Sequence, residues 1–132
     1  MNAKNYLSYN LKNDHESMIG PVDITWLKQV TNAWMDDENN SAERFKTLHQ
    51  YFPNAKSVLD MAAGCGTFVF YGLLNGFDVS GIEPENWKLE FLKMKIAEKK
   101  YPKDWFKSFF HLLVNVYHLK MKLLTYAVPI KH

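Results

Sequence analysis

Residues 57–67 end an apolar run in a carboxylate and follow it at once with a loop of very small residues. The run closes on Asp60, and the loop extends from Ala62 to Gly66. Glycine at 64 and 66 leaves no side chain where a ligand must approach the backbone, and it permits positive φ angles in the turn. The order of strand, tight turn and helix is the way a nucleotide-type cofactor is held against a parallel strand. The segment therefore predicts a cofactor-binding loop.

A second carboxylate, Glu83, lies 23 residues beyond Asp60, at the end of a predicted strand over 78–83. A carboxylate in this place accepts hydrogen bonds from both ribose hydroxyls of an adenosine. Asp60 can accept hydrogen bonds from loop amides or, through water, from a cationic group of the ligand. The spacing of these acids about the loop predicts an adenosine-containing ligand. One alternative is an ordinary tight turn with a solvated Glu83, and another is a nicotinamide or flavin fingerprint, whose third glycine would fall at Thr67.

Alternating strands and helices are predicted to position these groups. The pattern gives strands at 57–62 and 78–83 and helices at 67–75 and 85–100, with Gly76 capping the first of these helices. Connections this short imply a parallel sheet with right-handed crossovers. The predicted fold class is therefore α/β.

Helices are also predicted before the sheet. An apolar stripe predicts a helix over 23–35, and Ser41 is expected to cap a second one that ends before Pro53, with Phe45 and Leu48 facing the core. Residues 1–20 are polar and end in a Gly-Pro turn signal. These helices are expected to flank or cover the sheet.

Composition narrows the class of protein. The chain has 132 residues, a net charge of +2 and a single cysteine. The lysines are interleaved with apolar residues rather than clustered, so nucleic acid is not an expected partner. One cysteine permits no internal disulfide, which favours a reducing cytoplasm. The polar N-terminus has no signal-peptide pattern, and the uncharged stretch 108–119 is too short to span a bilayer, so no membrane association is expected.

The loop and the following acid resemble motif I of class I S-adenosylmethionine-dependent methyltransferases of the small-molecule "type 11" kind. That family has an apolar strand, an acid, any residue, and then Gly-x-Gly-x-Gly; here Ala62 replaces the first glycine. The resemblance implies a partial Rossmann-like sheet with S-adenosylmethionine as cofactor. It places the methionine moiety over Gly64–Gly66, the ribose hydroxyls on Glu83 and the adenine against side chains that follow Glu83. The implied cofactor-binding residues are Asp60, Ala62, Ala63, Gly64, Cys65, Gly66 and Glu83.

The last segment, 111–132, departs from this family. A complete enzyme of the class has about seven strands, and this chain has room for two or three. Read from Leu113 in the shifted codon frame, the tail permits the string E-C-L-P-F-E-D-E-T-F-D-L, which contains the pattern expected after the third strand. We therefore expect a frameshift near 111–113, and the alternative is a genuine short tail.

The predicted organisation is a helical flank at 1–54, a partial cofactor-binding half at 55–110 and an atypical tail at 111–132. The predicted function is the N-terminal part of a methyltransferase for a small-molecule acceptor, inactive as this chain, with no catalytic residue assigned. The alternative is a non-catalytic remnant or interaction module. Two minor options are a reactive Cys65 thiol at a helix N-terminus and a metal held by His111 and His118; no metal is expected.

Overall fold

The computed structural model of the chain describes residues 1–111. Predictions that fall on 112–132, including the shifted-frame tail and a metal ligand at His118, lie outside the described residues. In the described part no helix is long and apolar enough to cross a membrane.

The chain contains a small parallel sheet. Its strands are β1 (Ser57–Asp60), β2 (Asp78–Ile82) and β3 (Phe109–Phe110), in the order β1-β2-β3. The register places Asp60 beside Gly81 and Ile82 beside Phe110. Because all three strands run the same way, their carboxyl ends meet at one edge. The predicted α/β class with a parallel sheet is confirmed, although β1 ends two residues earlier than predicted.

The described residues also form five α-helices and one 3₁₀ helix. They are α1 (Ala3–Met18), α2 (Ile24–Met35), α3 (Ala42–Tyr51), α4 (Thr67–Leu74), α5 (Asn86–Glu98) and the 3₁₀ helix Lys103–Ser108. Helix α4 connects β1 to β2, and α5 with the 3₁₀ helix connects β2 to β3. The predicted alternation of strands and helices from 57 onward is therefore confirmed.

Helix α1 was not predicted. It begins where the Asn2 side chain accepts a hydrogen bond from the Asn5 amide at 2.8 Å, which satisfies one of the free N–H groups of the first turn. Ala3, Leu7 and Leu11 are spaced by four residues and are buried. These three side chains form a narrow apolar stripe. Most other residues of the segment are polar, so its composition does not indicate a buried helix face.

Helix α3 differs from the prediction at two residues. Ser41 precedes the helix but makes no side-chain capping bond, because its hydroxyl pairs instead with that of Thr67. Phe45 is buried as predicted, whereas Leu48 is 36% exposed, so its predicted inward orientation is wrong. Phe45 stacks on aromatic rings of α4 and of the turn after it, Phe68, Tyr71 and Phe77. This aromatic packing attaches α3 to the sheet layer.

Two apolar clusters hold the elements in place. The first joins the sheet to α3, α4 and α5; it includes Phe70, Val79, Leu92 and Phe109. The second joins α1 and α2 to the other side of α5, through Leu7, Leu27 and Phe91. Cys65, in the loop after β1, belongs to this second cluster. The loop therefore lies where the helical flank and the sheet layer meet.

Candidate functional site

Hydrogen bonds donated by its own backbone amides hold the loop after β1 in place. Ala63 donates to the carbonyl of Ile82 on the neighbouring strand at 2.9 Å, and Gly66 donates back to the Ala63 carbonyl at 2.9 Å. Gly64 donates to Oε1 of Glu83 at 2.9 Å, and Ala62 donates to Oδ1 of Asp60 at 3.3 Å. The turn is thereby fixed to the ends of both β1 and β2.

The two glycines of this loop both adopt left-handed backbone conformations, with φ of +58° at Gly64 and +81° at Gly66. A Cβ at Gly66 would lie 2.6 Å from Leu92 Cδ2 and 2.7 Å from Phe70 Cε2, so this residue is packed against the core. A Cβ at Gly64 would have nothing nearer than the Ala62 carbonyl oxygen, at 4.0 Å. The space beside Gly64 is therefore open, whereas the space beside Gly66 is already occupied by core side chains.

Glu83 joins the ends of the two strands. Its side chain is buried, and it accepts from the Gly64 amide through Oε1 and from the Glu85 amide through Oε2, at 2.9 and 2.8 Å. Burial raises the pKa of this carboxyl above its ordinary value, and the two amides and the charge of Lys88 oppose that rise. Ionised Glu83 is an acceptor for both loop and helix backbone, so it orders the site as well as facing it.

Asp60 is less enclosed than Glu83. Its side chain is 16% exposed and lies 3.4 Å from the guanidinium of Arg44, which is itself mostly exposed. Burial raises the pKa of the Asp60 carboxyl, while the Ala62 amide and Arg44 lower it. The carboxylate keeps acceptor capacity toward the solvent side of the loop.

The Cys65 side chain lies in an environment that does not favour a reactive thiolate. It is buried, and burial raises the pKa of its thiol, with Lys95 and Lys88 only partly opposing the rise. A raised thiol pKa leaves little thiolate at neutral pH, which argues against a reactive Cys65 thiol. Its backbone carbonyl accepts a hydrogen bond from the Lys95 ammonium at 2.6 Å. Cys65 thus contributes to the site through its main chain.

A cleft of about 320 Å³ opens at the carboxyl edge of the sheet beside this loop. Six of the seven sequence-predicted residues line it: Asp60, Ala62, Ala63, Gly64, Cys65 and Glu83. The seventh, Gly66, lies behind the loop against Leu92 and Phe70. The structure therefore brings six of the seven predicted residues together around one opening.

The cleft has further walls that the sequence did not reveal. From α2, α3 and the segment between them come Trp34, Asn40, Ser41 and Arg44, and from α4 and α5 come Thr67 and Lys88. Asn40 Nδ2 donates to the Thr67 hydroxyl at 3.0 Å, and Ser41 shares a hydrogen bond with the same hydroxyl at 2.9 Å. These residues come from several separate parts of the chain and form no sequence motif. The only signal was Ser41, which resembled a helix cap.

The polar groups of the cleft suit an organic ligand with both charges and hydroxyls. Acceptors are supplied by Asp60 and Glu83, and cationic donors by Arg44 and Lys88. Trp34 adds an aromatic surface. Within residues 1–111, no group of three or more His, Cys, Asp or Glu side chains could hold a metal ion. His111 instead lies with Nε2 3.0 Å from the Pro84 carbonyl.

Comparison of the chain with protein-family models, with curated proteins and with solved structures found no match in any of the three. The interpretation of the cleft therefore depends on its geometry and on the sequence motif.

Proposed function

We propose that the cleft binds S-adenosylmethionine and that the chain is the cofactor-binding part of a class I methyltransferase for a small-molecule acceptor. The observation that carries this proposal is the meeting of Glu83 and the open side of Gly64 in one cleft. Both lie at the carboxyl ends of neighbouring parallel strands. Ligands of α/β sheets bind outside this edge, where backbone can approach them closely.

Glu83 supports the ribose end of the proposed ligand. A carboxylate has about four lone-pair positions, and the amides of Gly64 and Glu85 use one on each oxygen. The remaining lone pair on each oxygen is able to accept a hydrogen bond from a ribose hydroxyl. The same residue would then order the loop and bind the sugar, so occupation of the site would not require the loop to rearrange.

The N-terminus of α4 supports the methionine end. The amides of Ala62, Ala63, Gly64 and Gly66 donate within the protein, whereas the described residues offer no acceptor to the Cys65 amide. Gly66 precedes α4 and provides no side-chain cap, so the first turn has free N–H groups. A ligand carboxylate suits such donors, and its ammonium and sulfonium charges suit Asp60.

The bound cofactor would supply a methyl group by in-line displacement, in which an acceptor lone pair forms the new bond to carbon and the carbon–sulfur electrons stay on sulfur. The residues described here would contribute binding and orientation. Displacement of this kind depends mainly on positioning and on removing water from the charged donor. No residue of 1–111 is assigned to deprotonate an acceptor.

A non-catalytic interaction module is the second candidate. Three large apolar side chains, Leu48, Tyr51 and Phe52, are 36%, 74% and 53% exposed at the end of α3. Exposed apolar side chains in a group are common at protein–protein contacts. This candidate predicts self-association or partner binding without a requirement for the cofactor.

Calorimetric titration of the full chain separates the candidates. We expect S-adenosylmethionine and S-adenosylhomocysteine to bind with micromolar dissociation constants, and NAD⁺ to give no heat. Asp60→Asn keeps an acceptor for the Ala62 amide but removes the charge, so the affinity for S-adenosylmethionine should fall about three- to tenfold.

The matched control is Asp78→Asn, at the exposed first residue of β2 and the opposite edge of the sheet, which should leave the affinity unchanged. Absence of binding by the folded wild-type chain would overturn the proposal. Stronger binding of NAD⁺ than of S-adenosylmethionine would favour the dinucleotide alternative instead.

A further inference from the structure

A fully buried ion pair lies behind the cofactor loop. Lys95 of α5 and Asp37, which follows α2, both have 0% exposed side chains, and Lys95 Nζ lies 2.7 Å from Asp37 Oδ1. The ammonium also donates to the carbonyls of Cys65 at 2.6 Å and Trp34 at 2.9 Å. Its three protons therefore have three acceptors, one of which belongs to the loop.

The rest of the network secures Asp37. Its Oδ2 accepts from the Tyr101 hydroxyl at 2.9 Å and from Lys99 Nζ at 3.1 Å. Burial lowers the pKa of Lys95, and the adjacent Asp37 carboxylate opposes that change. The Asp37 carboxylate and the two carbonyls favour the ammonium form, and the rings of Phe70 and Phe91 lie nearby, with centroids 5.4 and 5.1 Å from Nζ.

Stability alone is a weak reason for such a pair. Removing two charges from water costs several kcal/mol per ion, so apolar replacements of similar volume are often neutral or stabilising. The location of this pair is more informative. Its ammonium contacts the backbone of the cleft loop while it is anchored to α5, so the network links the loop to the helical flank by a charge-assisted hydrogen bond.

The Cys65 carbonyl fixes one peptide plane of the loop. Its oxygen accepts from Lys95, and the N–H of the same peptide, that of Gly66, donates to the Ala63 carbonyl. The peptide between Cys65 and Gly66 is thus held at both ends, and its carbonyl is directed into the protein. A flip of this peptide would turn the carbonyl oxygen toward the cleft, where it would repel a ligand carboxylate.

We propose that Lys95 is a positioning residue for the cofactor site, which holds the Cys65 carbonyl inside the protein and so keeps its oxygen out of the space that the ligand carboxylate would occupy. The proposal rests on the proposed function for the identity of the ligand. Its structural part, control of the loop peptide by Lys95, applies to the free protein as well. Lys95 acts through the backbone and does not touch the ligand.

The test is the double variant Asp37→Asn/Lys95→Met, which removes both charges and so leaves no unpaired buried ion. We expect it to bind S-adenosylmethionine at least about tenfold more weakly, because a hydrogen bond from a charged donor is lost from the loop. The amide NMR resonances of Gly64 and Gly66 should also shift in the ligand-free protein. The matched control is Lys99→Met, which loses a lysine contact to the same Asp37 but none to Cys65. It should keep both the affinity and the loop resonances.

The outcomes separate this proposal from the proposed function. If the wild-type chain binds S-adenosylmethionine and the folded double variant binds it equally well, the positioning role is overturned and the function stands. If the wild-type chain does not bind but the loop resonances move only in the double variant, the function is overturned and control of the loop stands. If Lys99→Met reproduces both effects, the network is merely structural and the positioning role is overturned.

If the double variant does not fold, the single variant Asp37→Asn takes its place. It keeps a hydrogen-bond acceptor for Lys95 but removes the negative charge that favours the ammonium form. It should then show a smaller loss of affinity with shifts confined to the same loop amides. Unchanged affinity and unchanged loop resonances in this single variant would overturn the proposal.

Discussion

Gly64 and Gly66 occupy the same loop and the same left-handed region of backbone space, yet they face opposite surroundings. A methyl group added at Gly66 would overlap Leu92 and Phe70, whereas one added at Gly64 would meet open space. Gly66 is thus small because the protein's own core needs the room. The room beside Gly64 is not used by the described residues, which is what a ligand-facing position requires.

The difference divides the loop into a core side and a cleft side. The core side comprises Gly66 and the Cys65 carbonyl, which contact Leu92, Phe70 and Lys95. The cleft side comprises Gly64 and Asp60, with Glu83 accepting from the Gly64 amide. A substitution on the core side should act mainly on folding, and one on the cleft side mainly on binding.

Gly66→Ala should have the largest effect on stability. The new Cβ must displace Leu92 or Phe70 and adopt a strained φ, for a combined cost of about 3 kcal/mol in the free energy of unfolding. Urea denaturation followed by circular dichroism measures this loss. A loss below about 1 kcal/mol would show that the Leu92 and Phe70 side chains move aside more easily than their packing indicates.

Glu83→Gln should have an intermediate effect on stability and a strong effect on binding. Glutamine presents one acceptor and one donor group, so it cannot accept from both the Gly64 and Glu85 amides, and we expect a loss of about 1–3 kcal/mol. The affinity for S-adenosylmethionine should fall more than tenfold, because the amide nitrogen cannot accept from a ribose hydroxyl and one of the two proposed hydrogen bonds to the ribose is lost. Glu90→Gln, on the exposed part of α5, is the control and should change neither quantity.

The same variant should change the pH dependence of stability. The pKa of Glu83 is raised on folding, so the folded state binds the proton more tightly than the unfolded state. The free energy of unfolding of the wild-type chain should therefore decrease as the pH rises from 4.5 through the folded pKa of Glu83. The decrease should be smaller in Glu83→Gln; identical pH profiles would contradict the assignment.

Gly64→Ala should have the smallest effect on stability, about 1 kcal/mol, since only the backbone conformation is strained. Its effect on S-adenosylmethionine affinity should exceed its effect on folding, because the added methyl group occupies space that we assign to the ligand. Parallel denaturation and calorimetry measure both quantities. Undiminished affinity in this variant would place the ligand elsewhere in the cleft.

The local order of the site was predictable from the sequence. The apolar run to Asp60, the small-residue loop and the apolar helix after it are adjacent in the chain, so short-range patterns were sufficient to place them. The parallel pairing then follows from the helix between the two strands, because it returns the chain to the end of the sheet where the first strand began. The convergence of Glu83 with the loop also follows, because parallel strands end at one edge.

The long-range contacts were not predictable. Asp37 lies in a segment that looks like a polar break, and Lys95 resembles a solvated helix lysine, so neither suggests a pair 58 positions apart. Thr67 likewise shows no sign of its contacts with Asn40 and Ser41. Charged and hydroxyl side chains at such positions are usually exposed, and only the packing of α2 and α3 against the loop makes them part of the site.

Trp34 gives this molecule a built-in optical probe. Its indole lines the cleft, and the Lys88 ammonium lies 5.9 Å from its ring centroid. The other three tryptophans, Trp26, Trp87 and Trp105, do not line it. Replacing these three with phenylalanine would leave a chain whose fluorescence comes from one indole at the opening. Occupancy and water content of the cleft could then be followed in real time without a label, even for ligands that release no heat.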